Sequence, residues 1–438
     1  MPAETALVCA ACGERVDPRA HPPFRCPRSG DDRDHLLNVR LGSEVAFTPV
    51  VEEAQPFARY ASMLWGFDAA RSRGWSASRF ANSVQRLDAA LEDVAGVGLR
   101  CTGPQRSDAL SDALGCSADG GVWVVDETNQ PSGSHKARHL FGVALWIDVA
   151  EALGFADGGD PLAVASCGNA ALAAANLALA AGRELLVFVP EQASADTLAE
   201  LRRLDAEVVV CPREEDDPPG DPCVHRFHEA LADGALPFSC QGTENGLVVE
   251  GARTIAWDAV VAEPRGFDRV QLQVGGGAFA SGFAQGAEFA VARGAWPKLP
   301  RILAVQSAAV SPLAPAWRAL AKWTEEGDLD AAVRRAAGRR AAAMRPVEHP
   351  GTSVAEGILD DETYDWLELA RLGIASGGAA QVVSEDLLRE AHRLGREATG
   401  IDVCATGTAG LAGLLLDHAA GKLDPHERAL VVFTGARR

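Results

Sequence analysis

The sequence predicts an α/β chain built on parallel sheets, preceded by a small cysteine-rich, ribbon-like segment. Three observations lead there. From Val122 onward, short Val-, Leu- and Ile-rich runs alternate with helical patterns, the arrangement of parallel strands joined by crossover helices. Before them, Cys9 and Cys12 form a C-x-x-C knuckle, and Cys26 follows in the Pro-rich turn segment His21–Pro27. The chain's 438 residues, 47% hydrophobic and 23% charged, are enough for full cores rather than a disordered polymer. A soft prior of one domain per about 150 residues puts two or three domains in such a length.

The elements follow in order. Thr48 to about Ala95 reads as helical, with an aromatic cluster of Phe57, Tyr60, Trp65 and Phe67. Val122–Asp126 is a strand, and a turn-rich stretch leads from it into a helix over Lys136–Leu153. Strands at Leu162–Ala165, Glu184–Val189 and Glu207–Cys211 then alternate with helices at Gly168–Ala181 and Ala193–Leu204. The acidic, Pro-rich stretch Pro212–Pro222 is a solvated loop. A second series has strands at Val270–Val274, Ile302–Val305 and Leu430–Phe433, and a helix at Phe279–Ala292. The Arg/Ala-rich stretch Ala331–Ala343 is expected to be a surface helix.

Composition excludes several partners. Sixty acidic against 41 basic residues give a net charge of -19. Such a surface disfavours nucleic acid and anionic membranes as main partners. No apolar run reaches the roughly 18 residues a bilayer crossing needs, and Met1 to Val16 lacks the pattern of a secretory signal. Ten cysteines scattered through apolar stretches read as reduced thiols, so a cytoplasmic location is expected. The cysteine knuckle is a candidate zinc site: Cys9, Cys12 and Cys26 supply three ligands, with His35, His21 or Asp34 as the fourth. The plain alternative is a loop-rich cap with buried free thiols.

Four further segments carry chemistry. In Asn129–Arg138 a turn leads into a helix that opens at Lys136. An ammonium there faces the positive end of the helix dipole, so the neutral amine is favoured, the form that condenses with a carbonyl. Ser166, Cys167, Gly168, Asn169 and Ala170 stand between an apolar strand and an Ala-rich helix. Unpaired N–H groups at such a helix start bind carboxylate or phosphate. Gly275, Gly276, Gly277 and Ala278 follow a strand and open another helix, a concave nest of N–H groups suited to a phosphate dianion. Gly275, Gly277 and Ala280 also match the dinucleotide pattern G-x-G-x-x-A, but Gln306 and Ser307 stand where the ribose-binding acid belongs. Thr434, at the tip of the last strand, offers a neutral hydroxyl to a ligand ring nitrogen. Each segment also has an ordinary structural reading: a first-turn lysine, an N-cap, a turn residue.

Together, and in this order, the four resemble the fold type II pyridoxal-phosphate enzymes, the tryptophan synthase β-subunit superfamily, from about residue 97 to the end. Supporting matches are Glu250–Ala256, Ser353–Ile358 and Gly407–Gly413. The branch it is most similar to is threonine synthase-like, through the cysteine knuckle and Phe57-Ala58-Arg59-Tyr60 followed by Leu64. Ala137, Cys167 and Ala278 depart from the usual family residues.

The resemblance implies two parallel-sheet α/β domains with the active site between them. The expected division is 1–42 for the cysteine-rich segment, 43–155 with 241–438 for a large cofactor-binding domain, and 156–240 for a smaller one. It implies pyridoxal 5'-phosphate as cofactor, held covalently by the catalytic Lys136 and bound by Asn169, Gly275, Gly276, Gly277, Ala278 and Thr434. Substrate would meet Ser166, Cys167, Gly168, Asn169 and Ala170; zinc would be held by Cys9, Cys12, Cys26 and His35. The implied activity is β- or γ-elimination or replacement on a small-molecule amino acid, as in threonine synthase acting on O-phosphohomoserine. Serine/threonine ammonia-lyase and cysteine synthase-like replacement are the alternatives, as is a non-catalytic relative whose zinc ribbon serves interactions. A phosphorylated substrate would need a second cationic pocket, for which Arg138 and Arg59 are the candidates. A homo-oligomer, a dimer, is expected from the superfamily.

Overall fold

The longest apolar runs become the centre of a sheet because both of their faces are covered. In a computed structural model, which describes residues 4–17, 24–155, 158–214, 217–218, 220–348 and 351–438, the described residues form three sheets. β1 (Ala6–Cys9) and β2 (Leu37–Arg40) make a small antiparallel ribbon. The large sheet contains β3 (Gln105–Ser107), β4 (Gly121–Asp126), β9 (Arg269–Gln273), β10 (Arg301–Ser307), β11 (Ala379–Val383) and β12 (Arg428–Phe433). The smaller sheet contains β5 (Leu162–Ala165), β6 (Leu185–Val189), β7 (Glu207–Val210) and β8 (Leu236–Pro237).

The strand orders are β11-β10-β9-β12-β4-β3 and β7-β6-β5-β8. All pairings in these two sheets are parallel except β3 with β4. β9 and β12 are buried at every position, as strands sandwiched between helix layers must be. β7, at an edge, has partly covered residues at its centre and exposed ones at both ends. The fold class is therefore as expected, a parallel α/β architecture with a ribbon-like N-terminal segment, and the short antiparallel β3 is an addition at the rim.

The Lys136–Ala152 helix buries residues on all sides, from Ala137 through Trp146 to Ala150. The N-terminal aromatic cluster packs on it and on the Val249–Ala262 helix: Phe57 lies 5.0 Å from Phe141, Trp65 4.5 Å from Trp146 and Tyr60 5.4 Å from Trp257, between ring centroids. The region from Thr48 to Ala95 is helical as expected, in several pieces of which Ala77–Ala95 is the longest. The Arg/Ala stretch is a helix over Leu329–Gly338 and then a 3-10 turn over Arg340–Ala342. It is not a free surface helix, because its alanine face (Ala332, Ala336, Ala337) is buried. Part of the acidic loop at 212–222 lies outside the described residues, and a helix begins at Pro222. Among the described residues no helix is long and apolar enough to cross a membrane.

Candidate active site

The chain enters the Lys136–Ala152 helix through a backbone turn that few residues tolerate. Ser132 (φ 59) and Gly133 (φ 66) are both left-handed, a conformation with a steric cost for serine. Pairing with the chain's last strand tip holds the turn. His135 N–H donates to the Thr434 carbonyl (3.0 Å), Ala436 N–H donates to the Gly133 carbonyl (2.8 Å), and Ser134 bridges Gly435. Residues from distant parts of the chain are thus placed beside Lys136 by backbone bonds.

The partly buried Lys136 amine is felt by a ring of titratable groups. Burial, and then the Lys136 charge, pushes the His135 imidazole well below its ordinary range and the His139 imidazole down to about 3. Both rings are neutral at physiological pH. His139 Nδ1 is 2.6 Å from the Val248 carbonyl, and its Nε2 is buried without a partner. Burial also raises Cys240, Asp360 and Asp365, the last to about 7, while the Lys136 charge pulls each of them down. Cys240 follows β8 of the smaller sheet, so the amine sits where segments from both sheets converge.

Beyond β9 the chain forms a cup. Gly277 has φ 97, open to glycine and strained for other residues. A Cβ at Gly275 would collide with Asp360 Oδ2, one at Gly276 would lie 3.0 Å from Tyr364, and one at Gly277 would lie 2.9 Å from Thr363. The segment that closes over the cup is tied to it by Asp365 N–H donating to the Gly276 carbonyl (2.8 Å) and Gly242 N–H donating to Asp365 Oδ2 (2.9 Å). Asp360 stands beside Gly275 and Gly276; burial raises its carboxyl, and the charge of Lys136 and the Gly276 N–H pull it down. The cup thus holds a carboxylate of the chain's own.

At the other end Thr434 is buried (2% exposed). Its Oγ1 accepts from Gln273 Nε2 at 2.6 Å, which leaves the hydroxyl proton free to be donated. Asn169 opens the Asn169–Ala180 helix, but its side chain is not the N-cap. Its Nδ2 instead lies 3.0 Å from where a Cβ on Gly435 would stand, on the flank of Thr434. Ser166 Oγ accepts weakly from Gly168 N–H (3.4 Å), and Cys167 is exposed with its thiol raised by burial of the sulfur. Gly168 and Ala170 are partly exposed, and a Cβ on Gly168 would meet nothing within 4 Å. The hydroxyls of Ser132 and Ser134 are buried without partners.

The ligand atoms of Cys9, Cys12, Cys26 and His35 lie within 4.8 Å of one another. Cys9 Sγ is 3.4 Å from His35 Nδ1, and Cys12 Sγ is 3.7 Å from Cys26 Sγ. Tetrahedral zinc with bonds of about 2.3 Å to sulfur sets its ligands about 3.7 Å apart, so the four groups fit that ion. His35 Nε2 pairs with Asp31 Oδ1 at 2.9 Å, which orients Nδ1 toward the sulfurs. Asp34 is not a ligand, because Arg340 takes its carboxylate at 2.5 Å. His21 lies outside the described residues.

The two arginines considered for a second cationic pocket take ordinary structural roles instead. Arg138 is fully buried and paired with Glu127 and Asp258, each at 2.8 Å, and Arg59 donates to the carbonyls of Glu53 and Val51 at 2.7 and 2.9 Å. Both guanidiniums are held in the chain's own structure, so neither offers the second cationic pocket. Sequence reasoning also missed Gln273, His135, His139, Cys240, Asp360 and Asp365. Gln273 had a signal, a polar residue at the end of an otherwise apolar run before the glycines; the others acquire their setting only through long-range packing.

The family described as pyridoxal-phosphate dependent enzyme matches residues 98–435. Among curated relatives, the threonine synthase of Methanocaldococcus jannaschii is 24% identical over 318 residues, 72% of this chain and 69% of that protein. Maize serine racemase superposes with a TM-score of 0.61 at 16% identity, covering 82% of this chain and 93% of that one. The processed form of threonine deaminase isoform 2 from Solanum lycopersicum superposes at 0.59 with 16% identity, covering 83% and 91%. At these identities the structural likenesses establish the fold alone.

Proposed function

The chain belongs to the pyridoxal-phosphate dependent enzyme family and has its type II fold; from that premise we propose that it is a lyase acting on an amino acid by β- or γ-elimination or replacement, threonine synthase-like. One observation carries the choice of reaction: the buried Thr434 hydroxyl accepts from Gln273 and still has its proton to give. Such a neutral donor, if it held the cofactor's ring nitrogen, would leave that nitrogen unprotonated, which would temper electron withdrawal and favour loss of a β- or γ-substituent over transamination.

The residues fit the cofactor. The Gly275–Ala278 cup would hold its phosphate once Asp360 releases the Gly276 N–H, Asn169 would flank the ring, and Lys136 would hold its aldehyde carbon. When bound, the group supplies an electron sink for negative charge at the substrate α-carbon. Lys136 would be the base that moves the proton at that carbon. The neutral His135 and His139 add no competing positive charge beside it. The partnerless hydroxyl of Ser134 and the helix start at Ser166–Ala170 would orient the substrate carboxylate. We propose the domains as 1–42, 43–155 with 241–438, and 156–240, because each range contains the strands of one sheet.

The deciding experiment is spectroscopic. Purified protein supplied with pyridoxal phosphate should be yellow, and borohydride should fix the cofactor to the chain; Lys136→Ala should fix none. A screen of amino acids and their O-phospho and O-acyl derivatives, read for keto acid, ammonia or replaced product, then names the substrate. A colourless wild type that takes up no pyridoxal phosphate would reject the proposal, and racemised substrate without elimination would reject the lyase reading.

A further inference from the structure

The ribbon that carries the cysteine cluster touches both segments that shape the candidate active site. Asp34, next to His35, donates its N–H to the Ala337 carbonyl (2.8 Å) and binds Arg340 through Oδ1 (2.5 Å). Arg340 in turn binds Glu362 through Nε (2.8 Å) and Nη2 (2.5 Å), and its N–H donates to the Asp32 carbonyl (3.1 Å). Glu362 lies within the strap Asp360–Asp365 that covers the glycine cup. On the other side, Gly246 N–H donates to the Phe24 carbonyl (2.8 Å), and a Cβ on Gly246 would stand 2.5 Å from Leu37 Cβ. That segment continues to Val248, whose carbonyl receives His139 from the Lys136 helix.

Between Phe24 and Leu36 the ribbon has no regular secondary structure. Such a loop owes its shape to what ties its ends, and a bound metal ties Cys26 and His35 to the knuckle. Small metal-ribbon segments commonly lose their fold when the metal leaves. Loss of such a metal would free the loop that presents Asp32 and Asp34 to Arg340.

We propose that the Cys9–Cys12–Cys26–His35 cluster is a metal-held brace for the cofactor cup, with Asp34, Arg340 and Glu362 as positioning residues that carry metal occupancy to the strap Asp360–Asp365. The inference rests on the cofactor reading above. Coupling between two sites is reciprocal. Metal therefore tightens pyridoxal phosphate, and pyridoxal phosphate tightens metal.

The test titrates pyridoxal phosphate into zinc-replete and chelator-stripped full-length protein, following absorbance, with zinc content and far-UV circular dichroism measured alongside. Stripped protein should bind the cofactor roughly 5–150-fold more weakly, the usual range for coupled sites. Glu362→Ala cuts the link on the cup side and leaves the Asp34–Arg340 pair in place. It should keep its zinc, bind the cofactor more weakly, and lose little more when stripped. Equal affinity with and without zinc, a protein that takes up no zinc, or a Glu362→Ala variant with wild-type affinity would each overturn the brace. If stripping unfolds the chain, zinc-replete Glu362→Ala decides alone. Failure of zinc-replete wild type to bind any pyridoxal phosphate would instead defeat the cofactor reading, and the brace with it.

Discussion

Asp360 gives the sharpest test of the phosphate cup. Its carboxylate lies where a side chain on Gly275 would point, close enough to the Gly276 N–H for that group to lower its pKa. A phosphate dianion must take that N–H from it and then tolerate a like charge nearby. A hydrogen bond to a charged group contributes about 1.5–3 kcal/mol against about 0.5–1.5 for a neutral one. Replacing the carboxylate by an amide in Asp360→Asn therefore removes about 1–1.5 kcal/mol of competition. That competition alone corresponds to roughly five- to tenfold tighter pyridoxal phosphate, at about 1.36 kcal/mol per tenfold, and loss of the repulsion raises it further.

The assay is an equilibrium titration of cofactor-free protein with pyridoxal phosphate, repeated with inorganic phosphate as competitor. Exposed Asp361 is the control, and Asp361→Asn should leave the affinity unchanged. The pH dependence has a definite sign. Burial raises the Asp360 carboxyl above its ordinary range, against the opposing pull of Lys136 and the Gly276 N–H. As pH falls through its pKa the wild type loses the interfering charge, so its affinity should approach that of the variant. The phosphate's own titration is common to both proteins and cancels in their ratio. Unchanged or weaker binding by Asp360→Asn, or a ratio that does not vary with pH, would refute the assignment of the cup.

Thr434→Asp should raise the share of transamination among products, because a carboxylate would hold a proton on the ring nitrogen; product analysis with amino acids checks it, and an unchanged ratio would contradict the role of the hydroxyl. Arg138→Leu strands Glu127 and Asp258, both fully buried, and should cost about 3–5 kcal/mol of stability by denaturant unfolding, the usual loss when one partner of a buried ion pair is removed. Asp365 should make stability pH-dependent: its pKa is about 7 in the folded chain, raised by burial and lowered in part by the Gly242 N–H, Arg340 and Lys136, with Asp34 raising it further. The unfolded value is about 3.9. The neutral acid's contribution is therefore full below about pH 4 and is lost as pH rises through the folded value. Urea unfolding at acidic and alkaline pH should show a smaller alkaline loss in Asp365→Asn than in wild type; equal losses would contradict the shift.

The sequence by itself determined the pieces that local chemistry controls. Apolar runs between helical patterns meant parallel strands, and the glycines at 275–277 meant a nest of backbone N–H groups at a helix start. The lysine, the Ser166–Ala170 loop and the threonine each announced themselves at a strand-to-helix turn or a strand tip, where backbone donors and acceptors are left open. The cysteine knuckle also narrowed its fourth ligand to a few candidates, and the packing brought His35 to the sulfurs while Arg340 claimed Asp34.

The tertiary structure decided what lies opposite what. β12 is last in the chain yet pairs between β9 and β4, and this brings Thr434 against His135. It also put Asp360 over the glycines and tied up Arg138 and Arg59 within the chain's own structure. Periodicity records which face of an element is covered; it does not record which distant segment covers it. Strand order and the charges that face a cup are set by how whole layers pack, so they become readable only when the chain has closed on itself.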